Sequence, residues 1–236
     1  MAGRDANRGA KRAREARAAL SLDERSPVAC VLSAVESRAD VIVCSLPEGV
    51  AGACVDGVLW VNGDEVARRQ RFTLAHELGH HWIGHDASLE VDTVETLSGR
   101  TTNPFEIQAN AFAAEFLVPR AGLSVDGAPT LEDIVRLAAL YGVSAPMMLV
   151  RFRQLRIGSA AQAERLQAEI DAGEHVRLFD WLGLPAVDDR LARLVELPYL
   201  SPALRGSLLE AAVRGESGVP GWLTSAVDRV MRPALR

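Results

Sequence analysis

The chain has 236 residues, 48% hydrophobic and 24% charged, which is the globular range and enough to bury a core. Its net charge of −5 gives no global reason to expect nucleic-acid or membrane binding. No apolar run approaches the ~18 residues of a membrane span, and the N-terminus lacks the apolar stretch of a secretory signal. The odd set Cys30, Cys44 and Cys54 suits reduced thiols, so a cytoplasmic protein is expected.

In chain order, the first segment is basic. Arg4, Arg8, Lys11, Arg12, Arg14 and Arg17 stand against only Asp5 and Glu15. Residues 1–20 read as a flexible, solvated tail that could touch an acidic partner or nucleic acid. Residues 26–39 have helix-compatible spacing, with Ser26 and Pro27 as a start signal. Three short β-rich runs follow, "DVIVCSL", "GVAGACVDG" and "GVLWVNG", and read as a small antiparallel sheet. Asp64 looks like an N-cap, and helical spacing then continues to about residue 84.

That helix carries "HELGH", with His76 and His80 four residues apart. Such residues sit about 40° apart on one helix face, where two imidazoles can share a metal ion. Glu77 would place its carboxylate beside a metal-activated water, as a general base. Gly79, costly inside a helix, implies close approach by another element. Ala75, Leu78 and Trp82 give the helix an apolar anchoring face. His85, at the helix end, could line the cleft or cap the last carbonyls, and the cap is the choice.

A catalytic zinc takes three protein ligands. An all-histidine completion needs glycine at 83 and histidine at 86, where the chain has Ile83 and Asp86. A carboxylate from Asp86, Glu90, Asp92, Glu95, Glu106 or Glu115 is therefore expected. Residues 86–103 read as a loop, which places a ligand poorly. Residues 104–119 read as a helix between Pro104 and Pro119, on which Glu106 and Glu115 cannot both face the site. Glu106 is the choice, with Asn110 one turn on, where it could accept a ligand imidazole's other N–H. Zinc is the expected metal, although this donor set also suits manganese or iron.

"TLAHELGHH" followed by "EIQANAFAAEFLVP" resembles the ImmA/IrrE family of metallopeptidases. The resemblance implies a zincin-like α+β fold, His76, His80 and Glu106 as zinc ligands, and Glu77 as the catalytic acid/base. It also implies Asn110 as the residue orienting a histidine, and a helix-turn-helix repressor of a mobile element or stress regulon as substrate.

Downstream, "LEDIVRLAALYGVS" and "APMMLVRFRQLRI" read as two helices turning at Gly142, a helix-turn-helix-like pair. Arg151, Arg153 and Arg156 could meet phosphates, but the apolar run Met147–Val150 disfavours DNA contact. Residues 159–236 read as a mostly helical region of no assigned role. The expected segments are thus a tail at 1–20, a zincin-like core at 21–125, the helical pair at 126–158 and the helical region at 159–236. Tyr141, Tyr199 and His175 are weak candidates for stabilising an oxyanion. The strand "GVLWVNG", around Trp60 and Val61, is expected to bind substrate along a sheet edge. The alternative function is a regulator that binds repressor or DNA without cutting, with a structural metal.

Overall fold

The computed structural model describes residues 2–85, 92–93, 101–184 and 198–213. The fold is α+β. Helices α1 (Ala2–Ala19) and α2 (Val31–Glu36) precede strands β1 (Asp40–Cys44), β2 (Val50–Val55) and β3 (Val58–Asn62). Helix α3 (Ala67–Ile83), the short strand β4 (Asp92–Thr93) and helix α4 (Pro104–Leu117) follow. Helices α5 (Leu131–Tyr141), α6 (Ala145–Leu155), α7 (Ala160–Asp171) and α8 (Glu174–Trp181) lead to β5 (Tyr199–Leu200) and α9 (Pro202–Val213).

The sheet order is β4-β2-β3-β1-β5. β2 and β3 form an antiparallel hairpin, but β1 runs parallel to β3, with Ile42 opposite Trp60. The sheet is therefore mixed rather than antiparallel. Strand β3 lies inside it, flanked on both sides, so its backbone groups already belong to the ladders. It cannot receive a substrate strand as an edge would. Val41, Val43, Leu59 and Val61 alternate toward the core, where they meet Leu74, Ala75 and Leu78 of α3.

Helix α3 starts without a side-chain cap. Val66 is its N-cap, and the Asp64 carboxylate is instead bonded to Ser45 Oγ, at 3.1 Å. It ends at Gly84, whose φ of 76° is the left-handed turn that glycine adopts without strain. Helix α4 is better punctuated: Asn103 Oδ1 accepts from Phe105 N at 3.0 Å, and Pro104 sits in the first turn.

The basic N-terminal segment is not a solvated tail. It is α1, packed along α4. Gly9, Ala13 and Ala16 give it a stripe of small residues at i, i+4 and i+7. Ala13 and Ala16 are fully buried, and a Cβ at position 9 would collide with the Gln108 carbonyl. Buried Arg17 donates to the carbonyls of Phe116, Asp23 and Ser26, tying the end of α1 to α4 and to the next loop. The small stripe outweighs the charge, because Arg4, Arg8, Lys11 and Arg14 stay exposed while Arg17 and Asp5 find hydrogen-bond partners on the packed side.

Apolar residues from α1 to α7, including Ile134, Met148, Phe152 and Leu166, share one core. The segment divisions expected at 125 and 158 therefore have a common core on both sides. Helices α5 and α6 meet at a bend of 106° after Gly142, within the range of a helix-turn-helix. Arg151, read as a phosphate contact, is buried on α6 and bonded to Glu115 and to the Val118 carbonyl. That residue serves the core, not a nucleic acid. Within the region read as mostly helical, Tyr199 and Leu200 instead form β5, which pairs with Ile42 and Val43. Among the described residues no single helix is long and apolar enough to cross a membrane.

Candidate metal centre

Helices α3 and α4 pack against each other and bring His76, His80 and Glu106 together. Gly79 permits this approach: a Cβ there would stand 3.1 Å from the Phe112 ring of α4. The three side chains are buried or nearly so, and they lie under one crossing point of two rigid helices.

The distances suit one ion. His76 Nε2 and His80 Nε2 are 3.0 Å apart. Glu106 faces His76 through Oε2 at 3.2 Å and His80 through Oε1 at 3.4 Å. Three ligand atoms on a tetrahedron of ~2.0–2.1 Å bonds are about 3.3–3.4 Å apart. The chemistry of the donor set agrees. His76 Nδ1 lies 3.1 Å from Asn110 Oδ1, so that nitrogen donates and the Nε2 lone pair is left facing inward. Burial alone would raise the Glu106 carboxyl, but the imidazoles of His76 and His80 outweigh it and hold the group well below the usual carboxylate range. Two imidazole lone pairs and an ionised carboxylate converging in a buried space fit a divalent cation, which His76, His80 and Glu106 would hold.

Glu77 is fully buried and stands next to His76 on α3. Its Oε1 lies against β2 at Gly52, where a Cβ would be only 2.6 Å from that oxygen. The same Cβ would be 2.5 Å from Thr73 Cγ2 and 2.8 Å from the Trp60 carbonyl oxygen. Glycine at 52 is thus what lets the sheet close on the helix beside the glutamate. A glycine inside a strand-like run signals close backbone approach, and that signal was readable in "GVAGACVDG". We expect Gly52→Ala to cost about 1–3 kcal/mol of stability and to displace Glu77, observable as a lower melting temperature.

Two further side chains join the site. His85 is not simply a cap for the helix end. Its Nδ1 is 3.0 Å from His80 Nδ1, its ring lies 4.8 Å from Phe105, and Gln108 Oε1 is 3.4 Å from its Nε2. Burial, then the neighbouring His80, push the His85 imidazole down to about 4, so it is neutral at physiological pH. The contacts with Phe105 and Gln108 were not legible, because they form only once α4 docks.

The remaining candidates lie elsewhere. Glu115 is the salt-bridge partner of Arg151 and Arg14. Asp86, Glu90 and Glu95 fall outside the described residues, and Asp92 belongs to β4. The Tyr141 hydroxyl donates to the carbonyls of Arg25 and Gly122, and that of Tyr199 to Glu36. His175 lines a separate cavity with Arg68 and Phe179.

Residues 44–153 match the peptidase M78 family, as its IrrE N-terminal-like domain. That family suggests a metal-dependent protease. No curated protein matches the chain.

Proposed function

We propose, for a chain whose residues 44–153 belong to the M78 peptidases as their IrrE N-terminal-like domain, a metal-dependent endopeptidase that cuts a helix-turn-helix transcriptional repressor. The observation that carries the hydrolytic reading is the convergence of His76, His80 and Glu106 on one point, with the buried Glu77 carboxylate beside it. The repressor as substrate is supported by the resemblance of "TLAHELGHH" and "EIQANAFAAEFLVP" to the ImmA/IrrE peptidases.

In this reading His76, His80 and Glu106 hold zinc, the metal that this donor set commonly binds, with manganese or iron as substitutes. When bound, the cation supplies Lewis acidity, which lowers the pKa of a water and polarises a carbonyl. Asn110 fixes the His76 tautomer, keeping its Nε2 lone pair on the site. Glu77 takes a proton from the attacking water and returns it to the departing amine, so one carboxylate serves as base and then acid. Gly52 holds β2 against that carboxylate and fixes its position. The open edges of the sheet, among the described residues, belong to β4 and β5.

The test is to incubate the zinc-loaded protein with the helix-turn-helix repressor encoded beside its gene and to read new peptide termini by mass spectrometry. One cut, abolished by a chelator and by Glu106→Ala, is expected. A repressor that binds but stays whole under every condition that loads the metal would replace the protease with a non-cleaving regulator.

A further inference from the structure

A chain of hydrogen bonds runs from His80 through His85 and Gln108 and ends on Asp5 of the N-terminal helix. Its polarity can be assigned link by link from donor and acceptor chemistry. His80 turns its Nε2 lone pair to the site, so its proton is on Nδ1. That nitrogen lies 3.0 Å from His85 Nδ1, which must then accept. A neutral His85 that accepts at Nδ1 carries its proton on Nε2, and that N–H faces Gln108 Oε1 at 3.4 Å. With its oxygen used this way, Gln108 turns its amide nitrogen to Asp5 Oδ1 at 3.3 Å. A carboxylate can only accept when ionised, so the series closes there. His85 and Gln108 each accept once from behind and donate once forward, His80 only donates and Asp5 only accepts, so no link needs a proton in two places.

We propose that Asp5 of α1 is a positioning residue for the metal ligand His80, acting through Gln108 and His85. The proposal rests on the reading that His76, His80 and Glu106 hold the metal. Asn110 fixes the tautomer of one histidine within α4, and the relay does the same for the other from outside the α3–α4 pair. The backbone enforces the register of the last link, since Gly9 of α1 packs directly on the Gln108 carbonyl. The helix that reads from sequence as a flexible, solvated tail thereby becomes part of the metal site.

The plain structural alternative is that Asp5 only fastens α1 to α4. Zinc dissociation constants, measured on the full chain by competition with a chromophoric chelator, separate the two. His85→Ala is expected to weaken zinc by about 10–100-fold, the usual loss when a ligand histidine loses its outer partner. Asp5→Ala is expected to weaken it less, by about tenfold at most, and Asp5→Asn, which keeps an acceptor oxygen, to restore it. In the His85→Ala background Asp5→Ala should have no further effect, because the relay is already broken. The visible spectrum of the cobalt(II)-substituted protein should shift in the same variants.

An unchanged zinc constant in Asp5→Ala, or an equal loss in both backgrounds, overturns the relay. Gln108→Leu, which interrupts it in the middle, gives the same reading should Asp5→Ala fail to fold. Failure of the underlying metal assignment looks different: wild type would not take up one zinc, or Glu106→Ala would bind it as tightly.

Discussion

Under the proposed function, replacing Glu77 with glutamine is expected to lower peptide-bond cleavage by about 10²–10⁴-fold while the bound metal ion is retained. The substitution is nearly isosteric, so the contacts with Gly52 and the packing of α3 survive. What is lost is the ability to take up a proton. Zinc retention follows because the converging ligand atoms come from His76, His80 and Glu106, not from the residue between the histidines. Elemental analysis of the purified variant and a single-turnover cleavage assay check both halves. A glutamine variant that came out empty would make Glu77 a ligand, and one that cut at the wild-type rate would remove it from the chemistry.

Arg151→Met lowers the stability of the fold by about 3–5 kcal/mol. Arg151 and Glu115 are each only 3% exposed, and the guanidinium also donates to the Val118 carbonyl at 2.9 Å. Removing it leaves a buried carboxylate whose remaining cationic partner is Arg14, a largely exposed side chain 3.4 Å away. For a chain of this length the loss corresponds to a melting temperature lower by on the order of 10 °C, readable by circular dichroism. The double variant Glu115→Leu with Arg151→Met should melt closer to wild type than Arg151→Met alone, because it removes the stranded charge rather than creating one. Additive losses would show that shape, not charge, decides the site.

The clustering of His76, His80 and Glu106 was largely legible because its information is local. Two histidines at helical spacing define a face before any tertiary contact exists, and Glu106 follows from a helix marked by Asn103, Pro104 and Pro119. Strand direction is not local in this sense. Nothing within "DVIVCSL" says that β1 joins the far side of the β2–β3 hairpin and runs parallel to β3. The periodicity of α1 was present in the sequence as Gly9, Ala13 and Ala16. Charge hid it, since small residues score weakly as apolar while still permitting close helix contact. The contact between Gln108 and His85 could not be read at all, because 23 residues separate them and their meeting depends on how α4 docks.

The pairing of α1 with α4 also has a consequence in time. During synthesis α1 leaves the ribosome roughly a hundred residues ahead of the helix that receives it. At about 5–20 residues per second the interval is on the order of 5–20 s. Throughout that interval α1 is an 18-residue, arginine-rich segment without its partner, and isolated helices of that size are only marginally stable in water. Nascent chains stalled before residue 104 should therefore expose residues 2–19 to proteolysis, and chains stalled with α4 fully emerged should protect them.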